Sequence, residues 1–470
     1  MRVSLPMAKR QILLLAVISV LMTVMPGSHP AHASSDSRVD QLFTALRDRK
    51  FADATQHFDP TMKSALSADQ LSAVWLQIAS TYGKLNQWKI IQHAMLTGTD
   101  VFSVVLAFEH GKLIATVSVR PQTGEIAGLY FKPMTTETAA SSSPATSPPY
   151  ADATKFRSEA VTIGDDPWKL PGTLTIPAGN GPFPAVVLLA GSGPHDRDES
   201  VGASHVFKDL AEGLSSRGIV VLRYDKRTFA YQTLDPQKTT VKEEIIDDGA
   251  AAVLLLRTRP EVAHDRIFVV GHSLGAVMAP EVARKAQPVA GIVMLAPNGR
   301  KLPAVIVQQV RDIGQASPEQ LAELERQANE ISAHKMPRAQ YFFGAPAAYY
   351  YDLDARDEVA IARTLGVPIL ILHGGRDYQV IDEDISIWQT GLKGDPKVQV
   401  KTFPTLNHLF IAGAGKPGPA EYETPGHVDG AVIGAIASFI ANANGRRVAG
   451  GAEVAVLDLL NTRVESENLH

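Results

Sequence analysis

The hydrophobic pattern changes character three times along the chain. A predominantly apolar stretch covers residues 12–25. From Val39 apolar residues recur with helical period: Val39, Leu42, Phe43 and Leu46 share one face, and Leu71, Val74, Trp75 and Ile78 repeat the motif. After Trp88 the pattern predicts strands over 101–108, 113–119 and 126–131, with turns at Gly98, His110-Gly111 and Thr123-Gly124. Helices followed by a meander predict a small α+β domain over 34–133. It holds no catalytic constellation: His57, His93 and His110 are isolated, and Glu109-His110-Gly111 reads as a hairpin turn.

Further along, apolar residues run almost continuously over 185–190, 219–222, 267–270, 292–295 and 368–372. Strands of this kind are buried on both faces, which implies a mostly parallel sheet. Helical stretches at 207–214 and 241–256 lie between them, and 160–163 with 170–176 predict an antiparallel pair at one edge. The fold class is therefore α/β, a doubly wound sheet over 158–444. Residues 300–365 interrupt the alternation with a helix at 318–333 and two aromatic runs, Tyr341-Phe342-Phe343 and Tyr349-Tyr350-Tyr351. An insertion at that point sits over the carboxyl edge of the sheet, as a lid. Its aromatics either line an acyl pocket or pack the insertion onto the body. Residues 134–157, rich in Ser, Thr, Ala and Pro, read as a linker, and 445–470 form a tail outside the pattern.

Composition narrows the chemistry. With 45% hydrophobic and 20% charged residues the chain has the balance of a soluble globular protein. Its length of 470 residues predicts roughly three units, but the pattern supports two. Cysteine is absent, which excludes a thiol nucleophile, a Cys-based zinc site, disulfides and a thioether-anchored lipid. A net charge of −4 gives no support to nucleic-acid or acidic-membrane binding. Arg2, Lys9 and Arg10 before the apolar stretch, with Ala31 and Ala33 after it, make a secretory signal cleaved after Ala33. The expectation is a periplasmic or secreted protein with no stable membrane anchor after cleavage.

Gly271-His272-Ser273-Leu274-Gly275 is the sharpest chemical signal. A buried strand runs straight into it and a helix leaves it at 276–283, so Ser273 sits on a tight strand-to-helix turn where only glycine fits on either side. A serine hydroxyl is a weak nucleophile at neutral pH and needs an imidazole base oriented by a carboxylate. In this architecture both follow the serine. Asp377 ends the strand at 368–372; its rivals are Asp382, expected as a helix N-cap, and Asp384. His408 follows the strand at 398–403; its rivals are His427, at the start of the terminal helix, and His373, which precedes the acid. The oxyanion donors are expected to be the backbone N–H groups of Leu274 and Ser192, with Gly193 next. Gly193 and His272 are expected beside the substrate. The run His195-Asp196-Arg197-Asp198-Glu199 could line the mouth of the site or hold a metal, but reads better as a self-paired charged loop, since arginine is rare among metal ligands. Ser332-Ala333-His334-Lys335 matches S-x-x-K but lacks its partner motifs.

These motifs together resemble the α/β-hydrolase superfamily, and more narrowly secreted serine esterases with an N-terminal domain of unknown function. The resemblance is carried by 188–194 with Asp196-Arg197-Asp198-Glu199, by Tyr224-Asp225-Lys226-Arg227, by the serine elbow, by 373–377 with Gln379-Val380, and by Asn407-His408. It departs at Ala190, where many relatives carry histidine. It implies hydrolysis of a small-molecule carboxylic ester without metal or cofactor. For the first domain it implies a helix and a curved antiparallel sheet, with a substrate-positioning or homodimerising role. The same triad also serves peptidases of the prolyl-oligopeptidase type, acyl-CoA thioesterases and acyltransferases, and an inert binding protein could share the scaffold.

Overall fold

A computed structural model describes residues 32–443 except 97–98, 134–146, 203, 232–233, 235–237, 315, 317 and 423. The expected signal segment up to residue 31, the first half of the expected linker and the tail lie outside the described residues. Among the described residues no helix is long and apolar enough to cross a membrane.

The first domain begins with α1 (His32–Arg47), α2 (Phe51–Thr55), α3 (Pro60–Ala65) and α4 (Ala68–Tyr82). Local chemistry starts the last two. Asp59 accepts the Met62 N–H to cap α3, and Ser67 and Gln70 cap α4 reciprocally. A four-stranded antiparallel meander follows: β1 (Leu85–Leu96), β2 (Thr99–Phe108), β3 (Gly111–Val119) and β4 (Ile126–Pro133). Three of these strands are those the pattern predicts; β1 escapes it. Two register shifts in its pairing with β2 break the period-two alternation by which a strand is recognised. Phe102, Val104 and Leu106 on β2 meet Phe43, Leu46 and Trp75 in this domain's own core.

The second domain is built on eight strands. β5 (Phe156–Ile163), β6 (Leu170–Pro177) and β7 (Phe183–Leu189) come first, then a short hairpin of β8 (Ser200–Val201) and β9 (Ser204–His205). Helix α5 (Val206–Ser215) leads to β10 (Val220–Tyr224) and the single turn α6 (Arg227–Ala230). The helix expected over 241–256 is a π-helical turn at Lys242–Asp247 continued by α7 (Asp248–Arg257). Then come β11 (Val262–His272), α8 (Leu274–Lys285) and β12 (Gly291–Leu295).

The insertion contains α9 (Leu302–Ile313), α10 (Pro318–Ser332), a hairpin of β13 (Tyr341–Phe342) and β14 (Ala345–Pro346), α11 (Ala347–Asp354) and α12 (Glu358–Thr364). The sheet resumes with β15 (Ile369–Gly374), α13 (Asp382–Gly391), β16 (Val398–Phe403) and α14 (Gly430–Asn442). Strand order is β16-β15-β12-β11-β7-β10-β6-β5. The six strands from β16 to β10 are mutually parallel, and β6 pairs antiparallel with both neighbours. The continuous apolar runs are thus buried on both faces, as in β10, β12 and β15, where every residue is buried.

Two expectations change on folding. The linker is not free up to residue 157: the Tyr150 ring packs beside Gly213 of α5 and Gly430 of α14, and β5 already begins at Phe156. The insertion's aromatics mostly serve its own core. Phe342, Tyr350 and Tyr351 are buried with Ile306, Val310 and Ile331, and the two tyrosine hydroxyls donate to the Phe342 and Met336 carbonyls. Leu76 of α4 joins that cluster, while Trp75 beside it faces its own domain's core. Helix α4 therefore belongs to both domains at once.

Candidate active site

The chain presents its chemistry where parallel strands end. β11 runs directly into Ser273, whose φ of 52° and ψ of −121° are strained for a residue with a side chain. The close packing around it enforces that conformation. A methyl group on Gly271 would lie 2.2 Å from the Gly275 carbonyl oxygen, and one on Gly275 would lie 2.1 Å from the Leu189 oxygen. The Ser273 N–H donates to Leu295 O at 2.8 Å, which ties the turn to β12. Helix α8 begins at Leu274, so the positive end of its dipole lies at the serine.

Asp377 follows β15 and His408 follows β16. One carboxylate oxygen of Asp377 accepts the backbone N–H groups of Gln379 and Val380, at 2.8 and 2.9 Å; the other lies 2.7 Å from His408 Nδ1. An ionised carboxylate only accepts, so the proton on Nδ1 is fixed and Nε2 is left as the basic nitrogen. Asn407 holds the histidine loop, its side-chain oxygen accepting the Leu409 and Ile411 N–H groups.

The rival residues are engaged elsewhere. His373 pairs with Asp382 at 3.0 Å, His427 with Asp209 at 3.0 Å, and Asp384 accepts Arg300. Asp382 is the first residue of α13, not its N-cap; that position belongs to Ile381, whose N–H donates to Asp384.

The turn after β7 is held from its carbonyl side. Lys226 Nζ donates to Gly191 O at 2.6 Å and to Gly193 O at 3.0 Å, and His195 Nε2 lies 2.9 Å from Ser192 O. In a trans peptide the N–H points opposite to the preceding C=O, so the amides of Ser192 and Gly193 face away from these partners. The Gly191 N–H is already spent on Glu199 at 2.8 Å. A methyl on Gly193 would meet nothing within 4 Å, so this residue borders open space. The chain thus brings Ser273, Leu274, Ser192, Gly193, Asp377 and His408 to one edge of the sheet.

Two expectations are corrected. Residues 195–199 are not a self-paired loop. Arg197 makes a two-pronged pair with Asp225, Asp198 pairs with Arg223, and Glu199 is buried against Gly191 and His272. Strand β10 and the residue just beyond it supply Arg223 and Asp225, which no local reading of the loop contains. His272 does not aim its polar atoms at a substrate: Nε2 lies 2.9 Å from His408 O and Nδ1 lies 3.0 Å from Glu199.

Residues to which the sequence pattern assigns no individual role complete the surroundings. Lys226 is buried and lies 3.2 Å from Glu244, which also accepts the Thr228 hydroxyl and, at 2.7 Å, that of Tyr349 in the insertion. Two more insertion residues reach the acid loop: Gln308 and Gln309 of α9 donate to the Tyr378 and Gln379 carbonyls. Lys226 stands two residues after the end of β10, which signals a site-edge position, but its partners lie far off in sequence.

Known proteins match this arrangement. The model of the alpha/beta hydrolase family matches residues 186–417. Esterase EstD of Thermotoga maritima is 39% identical over 401 residues, 84% of this chain and 92% of that protein. The chain belongs to the α/β-hydrolase family. Among solved structures, this hydrolase is similar to Est1E from Butyrivibrio proteoclasticus, with 18% identity, a TM-score of 0.42 and coverage of 61% of this chain and 99% of that one. The Pyrococcus furiosus esterase PF2001 shows 21% identity and a TM-score of 0.39, covering 54% of this hydrolase and 83% of its own chain.

Proposed function

We propose that this hydrolase is a serine carboxylesterase using Ser273, His408 and Asp377. The Ser273 hydroxyl attacks the ester carbonyl while His408 Nε2 takes its proton, and Asp377 keeps the ring in the required tautomer. The N–H groups of Leu274 and Ser192 stabilise the tetrahedral anion. His408 then protonates the departing alcohol, and water, deprotonated by the same nitrogen, releases the acid from the acyl-enzyme. Every group is supplied by the chain, and no cofactor enters the scheme.

The observation that carries the reading is the 2.7 Å contact between Asp377 and His408, made by a histidine whose backbone touches the residue next to Ser273. Similarity to an esterase over most of both chains supports the reaction class. The test is hydrolysis of p-nitrophenyl acetate and butyrate by wild type and Ser273→Ala. A loss of at least about 10³-fold is expected on removal of the nucleophile. Activity retained within tenfold would sink the proposal. Failure of wild type to label with a fluorophosphonate would leave an inert binding protein on the same scaffold. A panel including thioesters and prolyl peptides tests the thioesterase, acyltransferase and peptidase alternatives.

We also propose export through residues 1–33. The basic start, apolar core and small residues before Ser34 support it. A mature N-terminus at Ser34 in the periplasm or medium is the expected result; an intact N-terminus on cytoplasmic protein would overturn it.

A further inference from the structure

A second carboxylate–imidazole pair lies beside His408, and the reaction as written does not use it. Glu199 and His272 are both almost wholly buried. Glu199 Oε1 accepts the Gly191 N–H at 2.8 Å and lies 3.0 Å from His272 Nδ1. His272 Nε2 faces the His408 carbonyl at 2.9 Å, and the two imidazole rings are 4.7 Å apart. A carbonyl oxygen only accepts, so Nε2 must carry a hydrogen. The 3.0 Å contact between Nδ1 and the Glu199 carboxyl group places a second proton between the two residues. Burial opposes a charge on His272, but the Glu199 carboxylate lifts its pKa above the ordinary histidine value.

The way Glu199 is held argues that this placement is built in. Its φ is +47°, in the left-handed region that a glutamate adopts only at a cost. Three anchors hold the residue there. Arg197 grips Asp225 with two nitrogens, Asp198 grips Arg223, and the Glu199 N–H donates to Asp196 O. Gly191 opens the oxyanion turn, His408 is the base, and His272 is bonded in sequence to the nucleophile. The pair therefore touches all three parts of the site.

We propose that Glu199 and His272 act as positioning residues that lock the base His408 and the oxyanion turn at Gly191 in register around Ser273. Neither contacts the reacting atoms. Asp377 sets the tautomer and tilt of the His408 ring, while the Glu199–His272 pair fixes how far the His408 backbone stands from the turn that receives the oxyanion. Misregister would raise the barrier of both acylation and deacylation while leaving substrate binding nearly unchanged. The inference rests on the proposed roles of Ser273 and His408.

The experiment measures kcat and KM for p-nitrophenyl acetate in full-length Glu199→Ala, Glu199→Gln, His272→Ala, His272→Gln and the double alanine variant, with Ser273→Ala as reference. Each single alanine is expected to lower kcat about 10- to 100-fold with KM within about threefold. The double variant should be no more than about threefold worse than the weaker single, because the pair acts as one unit. His272→Gln, whose amide can still donate to the His408 carbonyl, should recover about tenfold over His272→Ala. Single losses within threefold of wild type, losses that multiply in the double variant, or losses confined to KM would each overturn the proposal. If His272→Ala does not fold, the Glu199 variants decide by the same split between kcat and KM. An active Ser273→Ala would instead reject the underlying serine mechanism.

Discussion

The ammonium of Lys226 lies 2.6 Å from the carbonyl oxygen of Gly191, so a buried charge holds the turn after β7 from behind. The same nitrogen reaches Gly193 O and Glu244, and Glu244 accepts Tyr349 of the insertion. A continuous polar chain thus runs from the insertion to the turn through two buried, oppositely charged groups. Such pairs are costly to break, because the surviving charge is left without compensation.

Lys226→Met should therefore lower both activity and stability. A kcat loss of about 10- to 100-fold is expected, below or equal to that for removing an oxyanion donor outright. Lys226→Gln, which keeps an N–H donor, should fall between wild type and Met. Steady-state kinetics with a thermal melt of each variant checks this; an unaltered kcat in Lys226→Met would show that the turn holds its shape unaided.

Asp377→Asn tests the tautomer argument. The amide can present its N–H2 to His408 Nδ1, which places the ring proton on Nε2 and removes the basic nitrogen from the reaction. A kcat loss of about 10⁴-fold is expected with the fold intact, by the general behaviour of such triads. The readouts are p-nitrophenyl ester hydrolysis and circular dichroism. A loss below tenfold would mean that another acid orients His408.

Glu358 carries a prediction about pH. It is buried against α8, neither carboxyl oxygen has a hydrogen-bond partner among the described residues, and burial followed by the nearby Glu281 raises its pKa to about 8. The folded protein holds this proton more tightly than the unfolded chain, whose carboxyl titrates near 4.5. Its contribution to stability is present in full below about pH 4.5 and is lost as pH rises towards 8. Glu358→Gln should thus gain on wild type between pH 5 and 9, by roughly 1–3 kcal/mol at the upper end, with little difference at pH 4. Denaturation at pH 4 and pH 9 measures it, and equal gains at both would contradict the cause given.

Leu76 joins the first domain to the insertion. Leu76→Ala should weaken that seam by roughly 2–3 kcal/mol, since it removes a buried side chain from a formed cluster. The insertion should then be cleaved sooner in limited proteolysis, and both KM and kcat should shift, because α9 also donates to the Tyr378 and Gln379 carbonyls beside Asp377. Unchanged protease sensitivity of residues 300–365 would mean that the insertion stands without α4.

What could be read from the sequence was whatever depends on local geometry. Continuous apolar runs marked the strands of the parallel sheet, and glycines two residues either side of Ser273 marked the elbow, because the backbone contacts there leave no room for a side chain. Order along the chain selected Asp377 and His408, which the fold joins at 2.7 Å. Strand β1 escaped because its register shifts erase the alternation.

Residues 195–199 were misread for a different reason. Charges within five residues look mutually satisfied, yet in the fold Arg197 reaches Asp225 just beyond β10, 28 residues away, and Asp198 reaches Arg223 on β10, 25 residues away. The sequence by itself determined the fold class and the strand ends at which Ser273, Asp377 and His408 stand, since burial period and turn sterics act between near neighbours. Only tertiary structure decided that Lys226 grips the turn after β7, that His272 faces Glu199 and His408, and that α4 completes the insertion's core. Partner choice for a buried charge or an apolar face depends on which distant segments the packed sheet brings alongside, and no local pattern encodes that.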